Sequence, residues 1–354
     1  MTAKIKKLLR LAIEVALIVL MFTLFIRLLD WEQFRGYLLA ITLRIILSVL
    51  AIHFVLHALG ALQWMLILRE AGLSLGFLRV YRARLSGYAI TYLTPSMYFG
   101  GEPVRALLLK DGNATYKKIA ATIVLDKYIE LFTKLPLIVV GFSFVVLLLR
   151  VELPFVLLAG ALIAAFCGLF VFVSAHLFGG GGFIRRLAKA LLRPLVRVRP
   201  RWAVRCLRVA TDFECEVGLI IRRRSVFYLA MGVGILSSAV EVFQTWYVLT
   251  ALGHGSLVHP FVIYATIVVQ GLVSILPGNI GGMEGVHLFI FAVLGIGSAP
   301  SLIYTVILRI GQMSYVFLGL VNLFLSRLFG ATARRAAAAR RDPGGRGGVP
   351  GQPR

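Results

Sequence analysis

The chain has 354 residues, of which 59% are hydrophobic and 15% are charged, and its mean hydropathy is +0.90. This composition excludes a soluble globular protein and predicts an all-α polytopic membrane protein. The formal net charge is +23. Because the basic residues flank apolar segments and no nucleic-acid-binding motif accompanies them, we expect the charge to face anionic lipid and not nucleic acid.

Six apolar segments are long enough to cross a bilayer, which requires about 20 helical residues. They comprise residues 11–29, 45–68, 119–149, 153–176, 225–252 and 302–327. The first segment follows a basic N-terminus without a small-residue cleavage site, so we expect an uncleaved span and not a signal peptide. Two further apolar pieces, 261–276 and 286–297, are too short to cross the bilayer alone.

The distribution of Lys and Arg predicts the orientation of these spans, because loops rich in both residues stay in the cytoplasm. Basic residues concentrate at the N-terminus, in the loop 69–118, in an arm at 183–224 and in the tail 331–354. Both termini are therefore expected on the cytoplasmic side of a bacterial inner membrane. We expect residues 1–330 to form one membrane domain whose arm lies on anionic lipid, and the tail to be disordered.

One short pattern occurs twice, as PSMYFGGEPV at 95–104 and PGNIGGMEGV at 277–286. In each copy Gly, Glu and Val follow the proline at the same spacing. Helix breakers and a carboxylate survive at membrane depth only where protein or a water-filled cavity surrounds them. The predicted topology gives the two copies opposite orientations. The pattern thus predicts two broken re-entrant hairpins that form an inverted repeat; the alternative is that the second region spans twice, for eight spans in all.

Each copy also predicts the start of a helix that points at the membrane midplane. In the first copy Pro103 suits the first helical turn, and Arg105 lies one turn in, so the helix N-terminus fits an anionic group such as phosphate. In the second copy His287 occupies the position that matches Arg105. Three roles stay open for Glu102 and Glu284: capping their helices, binding a cationic headgroup or ion, and carrying protons.

The third span carries Asp126, Lys127, Glu130 and Lys134 within VLDKYIELFTKLP. Residues four apart share a helix face, so these side chains fit an internal ladder of ion pairs. Ionisable residues in spans usually face the interior of the helix bundle. The alternative is that they lie at the cytoplasmic interface, because Asp126 is only two turns into the helix.

These motifs together predict a substrate site without catalytic residues, cofactor or metal. Its residues are Pro95, Gly100, Gly101, Glu102, Arg105, Asp126, Lys127, Glu130, Pro277, Asn279, Gly281, Gly282 and Glu284. His53 and His57 are four apart, but no third convergent ligand is evident, so packing or a cavity-facing role is expected. Asp30 and Glu32 resemble the acidic pair with which membrane glycosyltransferases bind metal, although a tryptophan flanked by charge at the interface also explains them.

With PSMYFGGEPVRALLLK, VLDKYIELF and LPGNIGGMEG in this order, the chain resembles the family of lysylphosphatidylglycerol-synthase-type transmembrane domains, also called flippase-like or UPF0104 proteins. The resemblance extends to about residue 327 and implies a domain that moves lipids between leaflets. In bifunctional members that lipid is aminoacylated phosphatidylglycerol, and other relatives are associated with hopanoid or glycolipid pathways. The resemblance implies that the proline-glycine-glutamate segments form the re-entrant site and that Asp126, Lys127 and Glu130 match a charged family motif.

That charged motif departs from the family, which commonly has an acid–Arg pair followed by Asp; a bidentate guanidinium at this position is therefore not expected. No aminoacyl-transfer domain is expected either, so synthesis of a lysyl lipid is not predicted. The expected function is non-enzymatic translocation of a lipid or lipid-linked molecule, with anionic phospholipid, hopanoid or glycolipid as the substrate. The alternatives are a membrane transferase with a lipid-linked donor and a scaffold for a separately encoded lipid-modifying enzyme.

Overall fold

The computed structural model describes residues 41–94, 100–110, 114–149, 224–266 and 277–341 without interruption, together with isolated residues within 32–39 and 154–220. The described part of the chain is almost entirely α-helical, which confirms the fold class that the composition predicts. In chain order its elements are α1 (Leu43–Glu70), α2 (Phe77–Leu93), α3 (Glu102–Leu109), α4 (Tyr116–Leu149), α5 (Arg224–Ala251), α6 (His259–Ala265), a 3₁₀ turn (Pro277–Asn279), α7 (Gly282–Val293) and α8 (Ser298–Arg341).

Four of these helices are long and apolar enough to cross a membrane: α1, α4, α5 and the part of α8 that ends at Ser326. They confirm the spans expected at 45–68, 119–149, 225–252 and 302–327. Their outer faces expose large apolar side chains, such as Leu47, Val124, Phe243 and Phe317, which suits contact with lipid. The spans expected at 11–29 and 153–176, and most of the basic arm at 183–224, lie outside the continuously described residues.

Helix α8 is longer than the span that it contains. Its membrane-spanning part ends at Ser326, next to the span end expected at 327, and the helix continues to Arg341, into the tail that was expected to be disordered. The domain boundary expected at 330 stays a prediction. Residues 342–354 lie outside the described part of the chain.

The first proline-glycine segment separates two short helices, α2 with 17 residues and α3 with 8 residues. At about 1.5 Å per residue they reach about 26 Å and 12 Å, so neither crosses a hydrocarbon core of about 30 Å. Pro103 occupies the first turn of α3, as its missing N–H allows. The two helices approach so closely that a Cβ added to Gly101 would lie 1.9 Å from the carbonyl oxygen of Gly87. This geometry is that of a broken hairpin.

The second segment breaks the chain between α6, with 7 residues, and α7, with 12 residues. Three residues here have positive φ angles: Gly278 at 68°, Asn279 at 50° and Gly281 at 82°. Glycine and asparagine adopt this left-handed conformation most easily, which explains the PGNIGG sequence. Residues 267–276 lie outside the described chain. The choice between a re-entrant hairpin and two full crossings therefore stays a prediction.

The helices fall into two successive sets, α1 to α4 and α5 to α8, whose contacts are reciprocal. Helix α1 packs on α5, while α2 packs on α8 and, equivalently, α6 packs on α4. Glycine permits both of the latter contacts: a Cβ added to Gly319 would meet the Leu85 carbonyl oxygen, and one added to Gly141 would meet the Phe261 carbonyl oxygen. Such reciprocal pairing supports a repeat related by a pseudo-twofold axis. It brings both broken segments to the centre of the bundle.

Candidate functional site between the two broken hairpins

A cavity of about 390 Å³, lined by both charged and apolar side chains, lies where the two broken segments meet. Its size falls at the lower end of ordinary ligand pockets, so it suits a lipid headgroup better than a whole lipid. Residues from both sets of helices line it. The charged members of this lining, within the described chain, are Arg84, Glu102, Arg105, Lys127, Glu130, Lys134 and Glu241.

Asp126 of α4 organises one wall of this cavity from behind. It is 0% exposed, and its Oδ2 accepts hydrogen bonds from Arg84 of α2 and from Arg105 of α3, both at 2.7 Å. Its Oδ1 accepts a third hydrogen bond, from Gln63 Nε2 at 2.9 Å. A buried carboxylate is stable only when paired in this way. Since two guanidinium groups share one carboxylate, the trio carries one excess positive charge.

Arg105 is fixed by packing as well as by charge. Its guanidinium carbon lies 4.0 Å from the ring centroid of Trp64, a cation–π geometry. The indole N–H of Trp64 donates to Thr122 Oγ1 at 3.1 Å, which sets the orientation of the ring. Glycine is required opposite, because a Cβ on Gly87 would lie 2.3 Å from the Arg105 Cγ. The Arg105 side chain is therefore preorganised at the cavity.

A second charged cluster continues along α4 and reaches α5. Glu130 binds Lys127 at 3.1 Å and lies 3.8 Å from Lys134, which in turn binds Glu241 of α5 at 3.0 Å. The hydroxyl of Tyr264 donates to the other oxygen of Glu241. This arrangement supports the internal ladder of ion pairs over the interfacial alternative, and Glu241 extends it to a second span.

The second broken segment is held by Arg309 of α8. The Arg309 Nε donates to Glu284 Oε1 at 2.9 Å, and its terminal nitrogens donate to the backbone carbonyls of Gly278 and Asn279 and to the Tyr92 hydroxyl. Because Tyr92 belongs to α2, this one side chain ties the second hairpin to the first. It also satisfies carbonyl groups that the positive-φ turn leaves without helical partners.

Glu284 serves this structural arrangement and does not line the described part of the cavity. Its Oε2 accepts the backbone N–H of Gly281 at 2.8 Å, and its other oxygen binds Arg309. Of the three roles left open by the sequence, the geometry supports helix capping for Glu284. The expectation that both carboxylates face one cavity is therefore corrected: Glu102 lines the cavity and Glu284 does not.

The remaining expected site residues divide into three groups. Those that line the cavity are Glu102, Arg105, Lys127, Glu130 and Asn279, with Asp126 directly behind them. Those that shape the backbone beside it are Gly100, Gly101, Gly281 and Gly282; Gly101 N–H donates to Thr91 Oγ1 at 2.9 Å. Pro95 lies outside the described residues, as does the side chain of Pro277.

His287, at the position matching Arg105, also lines the cavity, and its Nδ1 lies 2.8 Å from Thr305 Oγ1. His53 and His57 also line the cavity, and His57 stacks on Tyr315 with ring centroids 3.9 Å apart. Within the part of the chain that the structure describes, no three His, Cys, Asp or Glu side chains are grouped as a metal site. The two histidines thus have the packed, cavity-facing role that the sequence predicts.

Sequence reasoning missed two arginines that matter most to this geometry. Arg84 lies in the basic stretch 69–118, where the sequence pattern does not distinguish it from its neighbours Arg79 and Arg82. Arg309 did leave a signal, since it is a single cation inside the apolar run SLIYTVILRIGQMSYVF. A charge within a span predicts a partner in the bundle interior.

Comparison with known proteins places these features in context. Residues 11–320 match the family model described as the lysylphosphatidylglycerol synthase TM region. The chain is 25% identical over 273 residues to a UPF0104 membrane protein of Methanothermobacter thermautotrophicus, covering 75% of this chain and 80% of the relative. A second protein of that name and organism is 26% identical over 300 residues (79% and 83%), and one from Pyrococcus horikoshii is 19% identical over 307 residues (83% and 91%). No solved structure matches the chain significantly.

Proposed function

Because this chain belongs to the family of lysylphosphatidylglycerol synthase transmembrane regions, which relates it to lipid handling, we propose that it moves a phosphate-bearing lipid between the leaflets of a bacterial inner membrane. The headgroup passes through the cavity between the two broken hairpins, and both termini face the cytoplasm. No covalent chemistry is part of this proposal. The partners are membrane lipids.

The observation that carries the proposal is the preorganised pair of guanidinium groups at the cavity. The barrier to lipid translocation is the loss of hydration around a charged headgroup at membrane depth. Arg84 and Arg105 share one oxygen of Asp126, and Arg84 has a further, longer contact of 4.0 Å with Glu130, so we expect the two guanidinium groups to replace the water around a phosphate. Guanidinium groups match phosphate oxygens in geometry as well as in charge.

Each residue of this wall has a distinct task in the proposed mechanism. Arg105 contacts the phosphate, while Trp64 and Gly87 hold its guanidinium at the cavity. Asp126 positions both arginines and keeps them charged. The N-terminus of α3, which opens at Glu102 beside the cavity, adds backbone N–H groups and a positive dipole end. The acyl chains stay in the bilayer, along the apolar outer faces of the spans.

The test is lipid exchange in vesicles that contain the purified protein. A phosphate-bearing lipid with a fluorophore on one acyl chain is incorporated, and its outer-leaflet fraction is measured by chemical quenching, with and without an imposed proton gradient. We expect the protein to accelerate leaflet exchange and Arg84→Gln to reduce the rate at least tenfold.

Arg82→Gln is the matched control, because Arg82 lies on the same helix but is exposed outside the cavity. This variant is expected to exchange lipid at the parent rate. Absence of protein-dependent exchange under both gradient conditions overturns the proposed function.

A further inference from the structure

We propose that the headgroup accepted by this cavity has no net charge and carries a primary ammonium as well as a phosphate. The ammonium is bound by Glu102, Asn279 and Gln312, which we name the ammonium subsite. This inference rests on the proposed function and specifies its substrate class. It departs from the anionic headgroup expected from the sequence.

The first argument is the charge of the cavity itself. Its described lining together with Asp126 contains equal numbers of cations and carboxylates: Arg84, Arg105, Lys127 and Lys134 against Glu102, Asp126, Glu130 and Glu241. A net charge inside a bundle surrounded by lipid is costly. A headgroup whose own charges cancel keeps the site neutral, whereas an anionic or a cationic headgroup adds an uncompensated charge.

The second argument is that these charges are unevenly paired. Glu130 and Glu241 bind lysines, and Asp126 binds two arginines. By contrast, Glu102 Oε2 is buried and accepts no hydrogen bond from any described residue. A buried carboxylate oxygen without a donor is costly, so it favours a donor from outside the described residues, which a ligand can supply.

Two other acceptors in the cavity lack donors as well. Asn279 Oδ1 and Gln312 Oε1 are both buried and form no hydrogen bond within the described chain. Both residues line the same cavity as Glu102, and they come from the opposite set of helices. A primary ammonium has three N–H donors and one positive charge, which matches three acceptor oxygens of which one is a carboxylate.

Two of the three acceptors belong to segments that hydrogen bonds hold at the C-terminal end of α2. Thr91 binds the backbone N–H of Gly101, next to Glu102. The adjacent residue, Tyr92, binds Arg309, which also holds the Asn279 carbonyl. Gln312 follows Arg309 by about one helical turn on α8, so its side chain extends from the same helix face.

The complementary anion contact is also incomplete. Arg105 is 4% exposed, yet its Nε has no hydrogen-bond acceptor among the described residues. One cavity of about 390 Å³ thus holds an unsatisfied guanidinium donor and three unsatisfied carbonyl or carboxylate oxygens, besides the hydroxyl of Ser238. A phosphate linked by a short chain to an ammonium satisfies both. A glycerol headgroup lacks the cation, a choline headgroup lacks N–H donors, and a lysyl headgroup adds an extra positive charge.

The experiment compares the rates of leaflet exchange of three tracer lipids in vesicles that contain the protein: phosphatidylethanolamine, phosphatidylglycerol and phosphatidylcholine. Each tracer carries a fluorophore on one acyl chain, and each rate is measured with and without a proton gradient. We expect the parent to move phosphatidylethanolamine at least tenfold faster than the other two.

Glu102→Gln makes the cavity cationic, so it is expected to slow phosphatidylethanolamine at least tenfold without slowing phosphatidylglycerol. Gln312→Met removes an acceptor without changing charge and is expected to slow only phosphatidylethanolamine. Glu70→Gln, outside the described cavity lining, is the control and is expected to match the parent.

The outcomes separate the two proposals. If the parent moves none of the tracers, the proposed function itself fails. If it moves phosphatidylglycerol as fast as phosphatidylethanolamine, translocation stands and the neutral-headgroup inference is overturned. If Glu102→Gln or Gln312→Met slows every tracer equally while melting like the parent, the ammonium subsite is overturned. Gln312→Met keeps the test decisive should Glu102→Gln fail to fold.

Discussion

Arg105 Nη2 lies 2.7 Å from Asp126 Oδ2, and this ion pair joins the first proline-glycine segment to the charged motif of the third predicted span. The two motifs are separate features of the sequence. In the structure they form one wall of one cavity, since the short helix α3 packs on α4. The motif that breaks the backbone and the motif that carries charge thus belong to a single site.

Removing the charge of Asp126 is the most direct test of this wall. Asp126→Asn preserves shape and the hydrogen bond from Gln63, but it removes the carboxylate that both guanidinium groups share and leaves Arg84 with a longer contact, 4.0 Å, to Glu130. Breaking a buried ion pair in this way costs about 3 to 5 kcal/mol. We expect a large fall in the melting temperature in detergent, and partial recovery when Arg84→Gln is added. A variant that melts like the parent contradicts the hub role of Asp126.

The two glutamates of the repeated pattern are expected to differ in their effect on stability. Glu284→Gln weakens both the ion pair with Arg309 and the cap on Gly281, and hydrogen bonds to charged groups contribute about 1.5 to 3 kcal/mol. Glu102→Gln breaks no described hydrogen bond at Oε2; it removes a dipole interaction of about 0.3 to 1 kcal/mol and a longer-range attraction to Arg84 and Arg105, so its cost is expected to be smaller. Denaturation of the two variants side by side checks this difference, and equal losses of stability would contradict it.

The reciprocal helix contacts predict equivalent effects at two distant glycines. Gly141→Ala and Gly319→Ala each place a methyl group against a carbonyl oxygen of a packed helix, at 1.9 Å and 2.5 Å. Overpacking of this kind costs about 1 to 3 kcal/mol, so both variants are expected to melt below the parent. Gly232→Ala is the control, because no described atom lies within 4 Å of its added Cβ. Loss of stability at only one of the two glycines argues against the pseudo-twofold arrangement.

The orientation of the chain is testable by cysteine labelling. In a background without native cysteines, a cysteine near Gly255 is expected to react with an impermeant reagent from the periplasmic side. One near Gly112 is expected to react only after the cytoplasmic side is opened. The physical reason is the concentration of Lys and Arg in the loops predicted to be cytoplasmic. Labelling of both positions from the same side would refute the inverted repeat.

A transferase with a lipid-linked donor would depend on the acidic pair before α1. The double variant Asp30→Asn with Glu32→Gln is therefore expected to exchange lipid at the parent rate in the vesicle assay, because lipid movement without covalent chemistry needs no metal-binding acidic pair. Loss of exchange at normal membrane abundance favours the transferase.

The sequence by itself determined the features that depend on local composition. Hydropathy determined four described spans to within a few residues, and the PGNIGG pattern determined a backbone break, because positive φ angles favour glycine and asparagine wherever they occur. It also identified five residues of the cavity lining, since carboxylates, amides and basic residues at membrane depth require a polar environment.

Only the tertiary structure decided which charges meet. Asp126 has Lys127 beside it in sequence, yet it binds Arg84 and Arg105, which are 42 and 21 residues away. Arg82 and Arg84 lie on one helix, yet the packing of that helix leaves Arg82 exposed and directs only Arg84 into the cavity. Likewise, Glu102 and Glu284 occupy equivalent positions of the repeated pattern, but of the two only Glu284 forms an ion pair with Arg309 of α8. The strength of an ion pair depends on desolvation and distance, and both are set by elements that are remote in the chain.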